Sequence, residues 1–167
     1  AGSREGVEAE AFRTSWREDR DPKKSLDLAP QRLGYESSML QHLVKRPDDY
    51  VGAFKTLPNS LQLLMVHSIQ SLAFNHSLSQ RITSGLSLIE PEEGDLVAPL
   101  MANGRIDVGK MAHVSPTNLE RCRRNCKLGR LVVTGTLPGR NSSLAEAEPG
   151  KHEVAGISQA GLDGVDW

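Results

Sequence analysis

One uninterrupted helical stretch constrains this chain more than anything else in it. It lies between Leu57-Pro58, where proline forces a boundary, and Gly85, placed to end a helix. Between those marks Leu61, Leu64, Met65, Ile69, Leu72 and Phe74 spread around much of a helix's circumference, and Asn59 or Ser60 can open it. At about 1.5 Å per residue, such a helix crosses the diameter of a small domain, so the remaining elements must arrange themselves along it. The pattern predicts a central, mostly buried helix.

The segments before it read as shorter helices. Phe12 and Trp16 stand one turn apart among charged residues, which predicts an amphipathic helix over residues 7–16, broken at Asp19-Arg20-Asp21-Pro22 and followed by a linker. Tyr35, Met39, Leu40, Leu43 and Val44 have the spacing of one buried stripe, ended by Pro47. Asp48 and Asp49 can cap a further helix in which Tyr50, Val51, Phe54 and Leu57 face inward.

After Gly85 the pattern changes. Residues 96–98, 105–108, 111–114 and 131–137 are short, rich in valine, isoleucine and leucine, and separated by turn formers such as Asn103-Gly104, which predicts strands. Ser115-Pro116-Thr117-Asn118 resembles a helix start, with serine at the cap and proline at the first position, and Gly129 marks that helix's end. Glycine, proline, serine and acidic residues dominate 138–150, so a mobile loop is expected there, returning as a final strand over 152–157. The expected fold is α+β: a helical layer with one long central helix (1–85), then a small, mainly antiparallel sheet carrying one helix (86–167).

Composition narrows the function classes. A chain of 167 residues with 38% hydrophobic content can bury a core as one domain. Its 20 basic and 21 acidic side chains give a formal charge of −1, so any affinity for nucleic acid must come from local clustering. No stretch approaches the roughly 20 apolar residues a bilayer requires, and the first ten residues are small and acidic, so a soluble, intracellular (cytoplasmic) protein is expected, with no membrane partner. Cys122 and Cys126 are too few for a zinc site without further ligands, and only His113 is near in sequence, so they read as reduced packing residues and no metal is expected. No nucleophile-elbow, paired-histidine or phosphate-loop spacing supports a hydrolase.

The densest cationic cluster is Arg121, Arg123, Arg124, Lys127 and Arg130, five cations within ten residues on a predicted helix and its exit. It reads equally as a solvated face favoured by the helix dipole or as a grip on RNA phosphate. Arg140, beside Gly139, and Lys55, before the leucine-proline turn, have the same two readings. On the long helix His67, Gln70, Ser71, Asn75 and Arg81 could line a cleft or satisfy neighbouring backbone; His67, set among leucines, reads as a satisfied core histidine. Arg81 favours the cleft slightly.

The long helix also carries a resemblance. Tyr50-Val51-Gly52-Ala53-Phe54-Lys55-Thr56-Leu57-Pro58 leads into Val66-His67-Ser68-Ile69-Gln70-Ser71-Leu72-Ala73-Phe74-Asn75-His76-Ser77-Leu78-Ser79-Gln80-Arg81. This resembles the TruD family of tRNA pseudouridine synthases, in which a leucine-proline turn precedes a helix bearing a histidine, a glutamine-serine pair, a phenylalanine-asparagine pair and a leucine-serine step ending in arginine. His67, Gln70, Ser71, Phe74, Asn75 and Arg81 occupy those marks in order. Val133-Thr134-Gly135-Thr136-Leu137-Pro138-Gly139 and Glu148-Pro149-Gly150-Lys151-His152-Glu153 resemble the family's later strand and loop, and the order fits its archaeal and eukaryotic-like branch. Ser68, Ile69, Leu72 and Ala73 depart from the family's usual residues, so an aromatic contact from that face is not expected to carry over.

The resemblance implies an insertion domain of an enzyme that breaks uridine's glycosidic bond and rejoins the base through carbon, with no cofactor. That chemistry requires a positioned carboxylate, an aromatic platform for the extruded base and a basic cleft. The family's aspartate motif is not found in this chain, so no catalytic residue is assigned. The expected partners are tRNA and a catalytic domain of the same parent polypeptide. The competing reading is a stand-alone protein-interaction module that docks through the helix of Phe12 and Trp16.

Overall fold

The computed structural model describes residues 6–165, and these divide between Val66 and His67 into two compact units. Helix α5, Asn59–Thr83, runs through the boundary. By contacts, then, its C-terminal part counts with the sheet.

The first unit is helical throughout: α1 (Val7–Asp19), α2 (Pro22–Asp27), α3 (Gly34–Lys45), α4 (Tyr50–Lys55) and the start of α5. Its core is Phe12, Leu40, Leu43 and Ala53, with Trp16, Leu26 and Met39 packed against it. The expected stripes are narrower than the sequence suggests. Tyr35 and Val44 are exposed on α3, and Tyr50 and Val51 on α4, where Ala53 is the buried residue, with Leu57 buried just after the helix. The expected linker after Pro22 is instead the short helix α2. Proline at a first helical position loses no hydrogen bond, and the Asp21 carboxylate accepts from the N–H groups of Lys23 (2.9 Å) and Lys24 (3.1 Å).

Asp49 caps α4 by accepting from the N–H of Gly52 at 2.8 Å, and its other oxygen lies 2.8 Å from Nε2 of His42 on α3. The His42 hydrogen bond first, and the Gly52 N–H second, hold the Asp49 carboxyl below its ordinary value of 3.8. A carboxyl that binds its proton less readily folded than unfolded stabilises the fold above its unfolded value, and that contribution is lost as pH falls through the lower, folded value. Asp49→Asn should therefore flatten the acid limb of stability below about pH 4, read as melting temperatures of the two proteins at pH 7 and in that acid range. Equal acid sensitivity would remove Asp49 from the account.

The second unit is built around β1 (Leu96–Pro99), with β2 (Ala112–His113) and β3 (Leu131–Val133) antiparallel on either side in the order β2-β1-β3. Val97 sits opposite both Ala112 and Val133. Leu96, Val97 and Ala98 are buried in succession, as both faces of this short strand are covered. The strand expected over 105–108 is reduced to a single bridge, Leu100 to Ile106, followed by a 3-10 turn, Val108–Lys110. Helix α6 (Leu119–Lys127) lays Cys122 and Leu119 on the sheet beside Val97 and Val114.

The final strand expected over 152–157 is a helix, α7 (Ala147–Gln159). Its buried positions, Pro149, Gly150, Glu153 and Gly156, have helical spacing but contain no large apolar residue, so a search for hydrophobic periodicity passes over them. Proline is tolerated in the first helical turn, where its missing N–H has no partner to lose. Gly156 permits a close crossing of α7 and α5: a Cβ there would stand 2.8 Å from the Ala73 carbonyl oxygen and 2.5 Å from the Ser77 nitrogen. Those are backbone atoms, which cannot swing aside.

The long helix departs from its expected burial. Only Ala73 is fully buried on α5, whereas Leu63, Leu64, Met65, Val66, Ile69 and Leu72 are 41–61% exposed. His67 is exposed as well, contrary to the core histidine expected. A helix apolar around most of its girth needs cover on several sides, and the described residues cover it in part.

Candidate nucleic-acid interface

Helix α6 sorts its cations by side. Asn118 fixes its start: the Asn118 carbonyl oxygen of the side chain accepts from the Ser115 N–H at 2.9 Å, and its amide donates to the His113 carbonyl at 3.1 Å. Cys122 then points into the core, and burial pushes its thiol up, as it does that of Cys126. With Cys122 inward, Arg123 and Lys127, four apart, fall on a common side against the segment Glu90-Pro91-Glu92. Arg123 donates to the Pro91 carbonyl at 3.2 Å and to Glu92 at 2.8 Å, and also meets Glu120 at 3.3 Å; Lys127 meets Glu90 at 3.2 Å. Arg121 and Arg124, three apart, share the other side, are exposed, and have no ion-pair partner among the described residues. Arg130, exposed and likewise unpaired, follows Gly129 at the helix exit.

The five-cation cluster is therefore not one patch. Two cations are spent on an acidic segment some thirty residues upstream, and three point to solvent. The sequence does show Glu90, Glu92 and Glu93 as a run, but pairing across 31 residues needs the tertiary fold to be seen.

Arg81 has a different task from the cleft contact favoured in the sequence. Its two terminal nitrogens donate to the two oxygens of Asp95 at 2.6 and 2.8 Å, and its Nε donates to the Ser87 carbonyl at 2.7 Å. Asp95, 1% exposed, also accepts the Glu92 N–H at 2.8 Å. Each of the three guanidinium nitrogens thus donates one bond that ties the end of α5 to the start of β1. Gln70 donates to the Pro138 carbonyl at 2.7 Å, the structural alternative for that residue. Phe74 lies where a Cβ at Gly135 would stand 2.6 Å from its ring. Ser71 and Asn75 are exposed on α5.

The 138–145 loop is better anchored than its composition suggests. Glu153, 8% exposed and absent from the sequence-based candidates, accepts the N–H groups of Thr136 at 2.9 Å and Ala145 at 2.8 Å, one before the loop and one at its end. Thr136 and Ser142 add side-chain bonds to Ser143 and Leu137, both 2.6 Å. Arg140 is carried exposed on this tethered loop, without an ion-pair partner among the described residues. Lys55, in the first unit, is also exposed and unpaired in that sense. Among the described residues no group of three or more His, Cys, Asp or Glu could hold a metal ion, and no helix is long and apolar enough to cross a membrane.

What these features define is an α+β protein whose unpaired arginines stand on a helix laid against a three-stranded sheet. The model of the tRNA pseudouridine synthase D (TruD) family matches residues 1–167, and the chain belongs to that family. A protein of Methanosarcina acetivorans named as a tRNA pseudouridine synthase D is 40% identical over 149 residues, 89% of this chain and 34% of its own length. One of Halobacterium salinarum with the same name is 34% identical over 155 residues, 90% of this chain and 36% of its own. A crystal structure described as TruD of Methanosarcina mazei superimposes with a TM-score of 0.83 at 34% identity, covering 97% of this chain and 37% of that one. The chain thus spans about a third of the length of the relatives it matches.

Proposed function

We propose that this chain is the RNA-gripping insertion domain of a tRNA pseudouridine synthase, and that the isomerising carboxylate belongs to a catalytic domain of the same parent polypeptide. The observation that carries the reading is the division of α6: Arg123 and Lys127 are neutralised by Glu92 and Glu90, while Arg121, Arg124 and the following Arg130 are held outward without counter-charge. Outward arginines on a short, core-anchored helix suit phosphate, which accepts two guanidinium hydrogen bonds at once and carries no base identity. Arg140 on its tethered loop and Lys55 are further candidates for backbone contact. In this reading Arg81 is assigned to tying α5 to β1 within the second unit.

The long helix gives a second support. Apolar side chains from Leu63 to Leu72 that remain 41–61% exposed are unusual for a surface meant to face water, and they suit a face covered by another part of a parent enzyme. Pseudouridine formation needs the base extruded and a carboxylate beside its glycosidic bond. In this reading the domain supplies position alone, so neither cofactor nor metal enters its own task.

The test is to incubate the purified chain with unmodified tRNA and read both retention of the RNA and the appearance of carbon-linked uridine. Retention without conversion is expected. Conversion by the chain alone, or failure to retain tRNA at low salt, would overturn the reading. Undiminished retention of a protein partner by a chain lacking the α6 arginines would instead favour the interaction-module alternative.

A further inference from the structure

The first unit holds a groove that the phosphate grip leaves unused. It opens between α1, α3 and α4 with a volume of about 500 Å³ and is floored by the apolar side chains of the helical core. Clefts of roughly 300–1,000 Å³ are the size that encloses small ligands. Three of its walls are aromatic and reachable: Trp16, half-buried, Phe54, half-buried, and Tyr50, 53% exposed.

Charge is sorted across α1 in the same sense. Arg13, Arg17 and Arg20 line the groove, whereas Glu10, Glu18 and Asp19 line a separate depression on another side of the helix. Among the described residues that line the groove the carboxylate is Glu36, 3.4 Å from Arg13. The Arg20 guanidinium is 5.5 Å from the centre of the Trp16 ring, within the range of a cation-π contact. Flat aromatic faces beside the exposed Arg17 and Arg20 are what a single-stranded nucleic acid requires: rings for the bases and cations for the backbone between them. A protein segment docking by apolar burial alone would gain nothing from the arginines, and an acidic one would gain nothing from the stacked arrangement of Arg20 over Trp16.

We propose that this groove takes an unpaired nucleotide of single-stranded RNA, its base against Trp16 and Tyr50 and its flanking phosphates on Arg17 and Arg20. The proposal rests on the reading of the chain as an RNA-gripping domain and adds a second, base-contacting site to it.

Trp16 can report on its own groove. The chain has two tryptophans, Trp16 and Trp167, so Trp167→Phe leaves Trp16 as the sole emitter. In that background a uridine-only RNA oligonucleotide should quench Trp16 emission saturably. Arg17→Glu with Arg20→Glu, both at exposed positions, and separately Tyr50→Ala, should each weaken the titration about tenfold or more, with helical circular dichroism unchanged. Absence of quenching, or equal quenching by polyglutamate, which has charge but no bases, would overturn the proposal, the latter in favour of an acidic protein occupant. Its failure is separable from that of the parent reading: replacing Arg121, Arg124 and Arg130 tests the α6 grip without touching this groove, so loss of tRNA there alongside a silent Trp16 would sink the groove alone.

Discussion

Replacing Arg81 by methionine should unfold the second unit far more readily than any exchange among the exposed cations. The substitution leaves Asp95, 1% exposed, as a buried carboxylate stripped of its two-pronged partner, and it also frees the Ser87 carbonyl. Removing one member of a buried ion pair costs roughly 3–5 kcal/mol, because the remaining charge stays desolvated. In a chain of this size that corresponds to a fall on the order of 10 °C in melting temperature. Replacing both residues, Arg81→Met with Asp95→Leu, removes the uncompensated charge and should recover part of the loss. A melting curve of Arg81→Met that matches the parent would show that the pair is not holding α5 to β1.

The second large effect is on binding. Arg121→Glu, Arg124→Glu and Arg130→Glu together should weaken tRNA binding about a hundredfold at low salt. Each exposed contact is taken at roughly 1 kcal/mol, the upper end for solvent-exposed ion pairs, and each 1.4 kcal/mol is a factor of about ten. Stability should hardly move, since none of the three side chains has an ion-pair partner among the described residues. Arg123→Glu should behave in the opposite way: it sets a fourth carboxylate beside Glu92, Glu120 and Glu90, so it should destabilise α6 while the outward arginines keep their charge. A triple variant that binds tRNA like the parent would locate the grip elsewhere.

The contrast between those variants also marks how far residues could be read without coordinates. The boundaries at Leu57-Pro58 and Gly85, the cap at Asp49 and the turn at Gly129 are local chemistry, and the helices α4 to α6 start or stop close to them, whereas the start expected with Ser115 as cap and Pro116 as first residue is a turn and α6 begins only at Leu119. The buried strand of Leu96, Val97 and Ala98 was legible for the same reason. Burial was less so. An apolar residue at a helical spacing becomes core only if something packs on it, and Tyr35, Val51 and the exposed side of α5 lack such a neighbour among the described residues. Helix α7 was hidden for the converse reason: its packed stripe is proline, glycine and a hydrogen-bonded glutamate, none of which registers as hydrophobic.

The candidate site divides along the same line. Composition finds all five cations of α6, but their division into two neutralised and three outward depends on where Glu90 and Glu92 come to lie, which is settled by the sheet. Arg81 stands at a position the family resemblance singles out, and the resemblance says nothing of its task; only the geometry around Asp95 does.

The most direct measurement is the affinity of the unaltered chain for tRNA across a salt series from about 50 to 200 mM, where each phosphate neutralised on single-stranded or duplex nucleic acid contributes roughly 0.7–0.9 to the slope of log affinity against log salt. A grip by Arg121, Arg124 and Arg130 predicts a negative slope of at least about 2, reduced toward zero in the triple variant. A slope near zero in the unaltered chain, or one that survives the loss of those three arginines, would contradict the account.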